Sequence, residues 1–144
     1  MNVELRALLA DATQCGAYFT DARDRQAMAE AATSLDFALV TIELVGCHDK
    51  GDALDRFAKA LRFPAWFGGN WDALADCLGD LSWWPAEGYV LLLDHVDDWR
   101  DSARVDFDVA IDILNAAASA WAQQRKPFWA LMPLPAAVLA TIEG

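Results

Sequence analysis

Phe63-Pro64-Ala65-Trp66-Phe67-Gly68-Gly69-Asn70-Trp71-Asp72-Ala73-Leu74-Ala75-Asp76-Cys77-Leu78-Gly79-Asp80-Leu81 reads as a loop that turns sharply into a short helix. Pro64 restricts the chain ahead of the loop and pushes Phe63 towards an extended conformation. Gly68 and Gly69 permit backbone angles that a Cβ opposes. Asn70 predicts the N-cap, since its side chain accepts a hydrogen bond from an amide of the first turn. Asp72 then falls in that turn, where the positive end of the helix dipole favours a carboxylate.

The predicted helix has two faces. Trp71, Leu74, Ala75, Leu78 and Leu81 recur at three- and four-residue steps and form its apolar side. Asp72, Asp76 and Asp80 stack along the other side and repel one another, at roughly 0.2–0.5 kcal/mol for each neighbouring pair. Such a ridge is either a solvated helix face or a surface, flanked by Trp66 and Phe67, that meets a cationic partner.

Trp66-Phe67-Gly68-Gly69-Asn70-Trp71-Asp72-Ala73-Leu74-Ala75-Asp76-Cys77-Leu78 resembles the signature of the barstar family, small intracellular inhibitors of secreted bacterial ribonucleases. That signature is an aromatic pair, Gly, a variable residue, Asn, an apolar residue, then Asp-Ala-Leu-x-Asp-Cys-Leu. With flanking strands the resemblance runs from about Phe37 to Met132. It implies three parallel strands in the order 1-2-3 with helices packed against them. It also implies a partner-binding set of Trp66, Phe67, Gly68, Asn70, Asp72, Asp76 and Asp80. Within that set Asp76 would occupy the position of a substrate phosphate and Asp72 would meet a cationic side chain or the rim. Trp66 and Phe67 would cover the edge of the active site. The chain departs from the family pattern at Trp66, where Tyr is common, and at Ala75, where an aromatic residue is common. Ala120 and Gln124 are neutral where acidic residues also touch the enzyme.

Composition narrows the function classes. Apolar residues make up 56% of 144 residues, and seven are Trp, which excludes a disordered chain and suffices for a core without staples. Three widely spaced cysteines, Cys15, Cys47 and Cys77, suit a reduced compartment better than a disulfide framework, and no Cys/His cluster has zinc spacing. The N-terminus lacks the basic region and apolar stretch of a signal peptide, and the longest apolar run, Pro127 to Ile142, is interrupted by prolines. A cytoplasmic location with no membrane contact is therefore expected. A net charge of −11 argues against direct nucleic-acid binding and favours a basic protein partner.

The rest of the chain reads as a small α/β layer fold. Val3 to Ala12 predicts a helix, Cys15 to Phe19 a short extended segment, and Asp21 the cap of a helix reaching Ser34. This region is expected to cover one edge of the sheet, with room for one extra N-terminal edge strand. Phe37 to Val45 reads as a buried strand, and a helix capped by Asp49 or Asp52 runs on to Leu61. Trp83-Trp84 sit in a loop, either packed over the sheet edge or extending an aromatic binding surface. Tyr89 to Asp94 is a second strand. Asp94-His95-Val96-Asp97-Asp98-Trp99-Arg100-Asp101 reads as a solvated loop, lacking the glycine and terminal Glu of a calcium loop. A long helix spans Ser102 to Gln124, Phe128 to Met132 is a third strand, and Ala136 to Ile142 makes a last helical turn or two. The expected organisation is an N-terminal helical extension over residues 1–35 packed on a barstar-like domain over residues 36–144.

Catalysis finds little support. The only histidines are His48 and His95. Adjacent Cys47 and His48 point to opposite faces in extended backbone, and Gly68-Gly69 lacks the Lys-Ser/Thr of a phosphate loop. No catalytic residue, metal ligand or cofactor is expected. The leading expectation is a protein inhibitor, monomeric when free, that blocks a basic secreted ribonuclease or toxin ribonuclease domain. The alternative is an interaction module or immunity protein on the same fold with a non-ribonuclease partner.

Overall fold

The computed structural model describes residues 3–143. In chain order the elements are α1 (Val3–Leu9), a 3-10 turn (Ala12–Gln14), β1 (Ala17–Asp21), a second 3-10 turn (Ala22–Asp24), α2 (Arg25–Ser34), β2 (Ala38–Glu43), α3 (Lys50–Leu61), α4 (Trp71–Asp80), β3 (Tyr89–Asp94), α5 (Asp97–Ser102), α6 (Arg104–Gln123), β4 (Phe128–Leu134) and α7 (Ala136–Glu143). The strands form one parallel sheet in the order β1-β4-β3-β2. The three expected strands are β2, β3 and β4, in the expected order. A fourth strand, β1, fills the N-terminal edge position for which the sequence leaves room and pairs with β4.

The two central strands set the architecture. The apolar residues of β3 and all of β4 are buried, and their alternate side chains feed two layers. Leu91 and Leu93, with Phe128, Ala130 and Met132, pack against Phe57 of α3, Leu74 and Leu78 of α4, and Leu114 of α6. Val90, Leu92, Trp129 and Leu131 meet Leu9, Met28, Ala31 and Ala32 of α1 and α2 on the opposite face. The Trp129 indole N–H also donates to the Leu9 carbonyl at 2.9 Å, so the second layer is hydrogen-bonded as well as packed. Where β2 and β3 begin, Gly88 is required for space: a Cβ there would lie 2.8 Å from the Phe37 ring.

Four readings of the sequence are corrected. Phe37 to Val45 is not buried throughout; β2 is shorter, lies at the edge that the order 1-2-3 gives the first strand, and leaves Thr41 and Glu43 exposed. Its apolar run is shared between the two helical layers: Val40 packs towards α3 and Leu39 towards α2. The aspartate-rich segment after β3 is not a loop but α5, in which Trp99 is fully buried and meets Phe107 edge-on at 5.2 Å. The helix expected from Ser102 is broken at Ala103, whose φ of −143° and ψ of 62° separate α5 from α6. Finally, Asp21 caps a 3-10 turn through the Arg23 amide, and α2 starts only at Arg25.

Charged side chains tie the C-terminal ends of the strands. Arg25 of α2 grips Asp94 at the end of β3 with contacts of 2.8–3.1 Å, and its Nη2 lies 3.2 Å from the Thr41 hydroxyl of β2. Glu43, ending β2, meets His95 Nδ1 at 2.7 Å. The Glu43 carboxylate raises the His95 pKa above its ordinary 6.5. Burial pushes Glu43 up, but the bonds from His95 and the Val45 amide outweigh it and leave it below 4.5. The His95 contribution is thus present below about pH 6.5 and lost as pH rises through its raised value. That of Glu43 is present above about pH 4.5 and lost as pH falls through its lowered one. The side chains are 63% and 47% exposed, so solvent screening holds the pair to under about 1 kcal/mol. His95→Gln is expected to cost roughly 0.5 kcal/mol in urea unfolding near pH 6, and the difference from wild type should vanish by pH 9. A difference independent of pH would show that the pair is not ionic.

Candidate functional site

The loop and helix predicted around Asn70 form as one rigid unit. Asn70 has extended backbone angles, and its Oδ1 accepts from the Ala73 amide at 2.8 Å. Gly69 sits at a φ of 69°, in the left-handed region where a Cβ is disfavoured. Gly68 does not share that requirement: a Cβ there would meet Asn70 at 3.5 Å and Ala73 at 3.9 Å, ordinary contact distances. The backbone therefore demands only the second of the two glycines.

Packing pins α4 from beneath. Leu74, Cys77 and Leu78 are buried, and the Trp121 indole N–H of α6 donates to the Leu78 carbonyl at 2.8 Å. Trp71 is half-buried, with Lys50 Nζ 5.9 Å from its ring centroid. Ala75, placed on the apolar face by its spacing, is exposed, and Cys77 takes the buried position. Leu81 is buried but terminates the helix as a left-handed C-cap with φ 47°. The apolar arc is thus turned towards Cys77, and Ala75 is left on the exposed side.

On that face Asp72, Asp76 and Asp80 are all exposed. Asp72 benefits from the helix N-terminus, whereas Asp80 lies at the C-terminal end, where the dipole disfavours it. Asp80 accepts a bond from the Ser82 hydroxyl at 3.0 Å. Among the described residues no ion pair involves any of the three carboxylates. A row of like charges with no internal counter-ion has its attractive partners only outside the molecule.

The aromatic loop flanks this ridge. Phe67 is half-buried on Phe63, with centroids 4.9 Å apart. Trp66 is 55% exposed and stands edge-on against Trp83 at 6.4 Å. Trp83 in turn meets Phe63 at 6.0 Å and donates its indole N–H to the Leu61 carbonyl at 3.0 Å. Trp83 thus props Trp66 upright, a supporting role that the adjacent Trp83-Trp84 hinted at but that spacing alone did not assign. Trp84 faces the other way, edge-on to Tyr89 at 5.4 Å.

The remaining chemical candidates are drawn into the scaffold. Cys47 is fully buried and its thiol is pushed up by burial, then by the Asp52 carboxylate. His48 turns instead to the Ser102 hydroxyl, 2.9 Å away, so no thiol–imidazole pair exists. Burial and the adjacent Asp76 and Asp80 push the Cys77 thiol up to about 11. Both thiols therefore lack the thiolate character a nucleophile needs. Asp94 is held by Arg25, and Asp98 accepts from the Gly46 amide at 3.1 Å. Among the described residues no three His, Cys, Asp or Glu side chains gather into a metal-sized group, and no helix is long and apolar enough to cross a membrane.

The sequence matches the family model described as Barstar (barnase inhibitor) over residues 37–133, a span that includes α3, the aromatic loop and α4. A search of curated proteins finds no match.

Two measurements test the local architecture. Asn70→Ala should lower the unfolding free energy by about 1 kcal/mol, and Asn70→Asp should restore it. Gly69→Ala should also cost about 1 kcal/mol, while Gly68→Ala stays near zero. Equal costs at both glycines would contradict the backbone described here.

Proposed function

The chain belongs to the barstar family, whose members are inhibitors and not enzymes, and from that premise we propose that it binds a basic, barnase-like ribonuclease and blocks its active site with the carboxylates of α4. The observation that carries this reading is the exposed, N-capped ridge of Asp72, Asp76 and Asp80, unpaired within the chain and flanked by the propped Trp66.

The chemistry is one of substitution. A ribonuclease must hold phosphates and stabilise the charge that develops on them, so its site is cationic. A carboxylate presented there by a rigid helix meets the same donors without offering a bond to cleave. Asp76, in the middle of the ridge, is assigned the substrate-phosphate position. Asp72 is assigned a cationic side chain at the rim, and Asp80 the outer edge. Gly68 and Asn70 let the partner approach the loop closely, and Trp66 and Phe67 close over the edge of the site. Little conformational freedom is lost on binding, because the cap, the buried face and the aromatic prop already fix these groups. The net charge of −11 accelerates encounter with a basic partner, a rate effect that falls with ionic strength. Such a protein acts as an immunity or antitoxin partner, protecting the cell that makes the nuclease. The neutral Ala120 and Gln124 suit a nuclease whose outer cations are arranged differently from those met by more acidic family members, and Ala75 one that needs no aromatic contact between the two aspartates.

Calorimetric titration with a barnase-like ribonuclease, paired with an RNA-cleavage assay, tests the proposal. Wild type should bind tightly and abolish cleavage. Truncating one partner of a desolvated, hydrogen-bonded charge pair costs roughly 2–5 kcal/mol, a scale that barnase–barstar measurements helped to set and that is carried over here. Asp76→Ala should weaken binding accordingly, yet leave the protein's own stability unchanged or slightly raised, since it relieves repulsion along the ridge. Tight binding indifferent to Asp76→Ala would overturn the assigned site. No binding to any basic ribonuclease would favour an immunity protein or interaction module with another partner.

A further inference from the structure

β2 lies at an edge of the sheet, and part of its backbone has no partner. The Ala38 amide donates to Gly88 and the Leu44 amide to Asp94, both at 2.9 Å. In a parallel ladder residues alternate, so the even-numbered ones turn both backbone groups towards β3 and Leu39, Thr41 and Glu43 turn theirs outwards. Arg56 occupies the Glu43 carbonyl at 3.0 Å and the Val45 carbonyl at 2.6 Å. The N–H and C=O groups of Leu39 and Thr41 have no protein partner among the described residues. Edges are ordinarily blunted by Lys, Pro, a bulge or a covering element. Ala38-Leu39-Val40-Thr41 contains no charge and no proline.

Under that edge runs a cleft of about 380 Å³, walled by Val40, Leu61, Arg62, Trp83 and Trp84. A second hollow shares the Trp84 wall and holds Phe37 with the mixed charges Asp36, Glu87 and Lys126. In the first cleft Arg62 is the only charged lining residue. It is the left-handed C-cap of α3, with φ 54°, and is exposed. Among the described residues no carboxylate pairs with it.

We propose that this edge is a second docking site, which takes an extended segment of a partner protein as an added strand. Main-chain bonds to Leu39 and Thr41 supply affinity and the cleft supplies selection. Side chains two residues apart on a strand share a face, so the segment presents an apolar side chain to Trp84 and, two positions away, an acidic one to Arg62. The charge of that residue is opposite to what the ridge on α4 would take, so the two surfaces select different partners. A second copy of this chain is a poor occupant, because each copy carries a net charge of −11. The proposal does not depend on the ribonuclease reading.

The test uses the full chain, ¹⁵N-labelled, with the peptide acetyl-STLTETS-amide and two versions in which Phe or Trp replaces Leu. At saturation the Leu39 and Thr41 amides, without a hydrogen-bond partner in the free protein, should exchange at least about tenfold more slowly. Arg62→Glu should weaken binding about tenfold or more, and replacing the peptide's Glu with Lys should recover it. Methylating the peptide nitrogens that face β2 should abolish binding, and Asp76→Ala should bind the peptide as wild type does. The proposal is overturned by the absence of binding at millimolar peptide, or by binding that leaves both amides unprotected. Loss of binding in Asp76→Ala would place the peptide on α4 and also overturn it. So would protection that grows with protein concentration in the absence of peptide, since the occupant would then be a second copy.

Discussion

The burial of β3 and β4 on both faces is the constraint from which the rest of the molecule follows. Neither strand carries a charged side chain on either face until Asp94 closes β3. Each strand therefore needs two helical layers, since fully burying a large aliphatic or aromatic side chain is worth roughly 1.5–3 kcal/mol. One layer, made of α3, α4 and α6, lies within the span that matches the family. The other is built from residues before position 37, through Leu9, Met28, Ala31 and Ala32. Val90, Leu92, Trp129 and Leu131 sit inside the matched span, yet their cover comes from outside it. The bond from Trp129 to the Leu9 carbonyl and the grip of Arg25 on Asp94 fix that cover at points remote in sequence.

From that frame α4 acquires a direction. Its inner side must reach the core through Leu74 and Leu78, and the Trp121 bond to the Leu78 carbonyl limits its rotation. The outer side is then fixed as Asp72, Asp76 and Asp80. Repulsion along that row costs roughly 0.2–0.5 kcal/mol per neighbouring pair, little beside what the buried side supplies. The fold can thus hold the charges together without neutralising them, and an unneutralised row on a rigid support is what an external cationic site recognises.

Much of this was legible because it is local. Asn70 as cap, Asp72 in the first turn and the four-residue spacing of the aspartates depend only on nearby backbone geometry, and the structure keeps all three. The features that escaped depend on distant residues. How far β2 is buried is decided by what covers it, and an apolar run reads the same whether covered or open. α5 was masked by its aspartates, which read as a loop, although Asp97 and Asp98 also suit a first helical turn and Val96 and Trp99 stand three apart. The break at Ala103 has no Gly or Pro to announce it. Ala75 and Cys77 are close enough in size and polarity that periodicity alone could not tell which faced inwards.

Trp83 lies between the aromatic flank of the acidic ridge and the cleft under β2. One edge of its ring supports Trp66 beside the acidic ridge, its indole N–H is bonded to the Leu61 carbonyl, and its remaining flank walls the cleft under β2. Leu61 ends α3 and Arg62 caps it, so the same short segment carries the cation of the cleft and leads into the aromatic loop. Removing this indole would take away the support of Trp66 and one wall of the cleft together. The aromatic flank of the acidic ridge and the cleft under the open edge therefore share a single indole, although their charges are opposite.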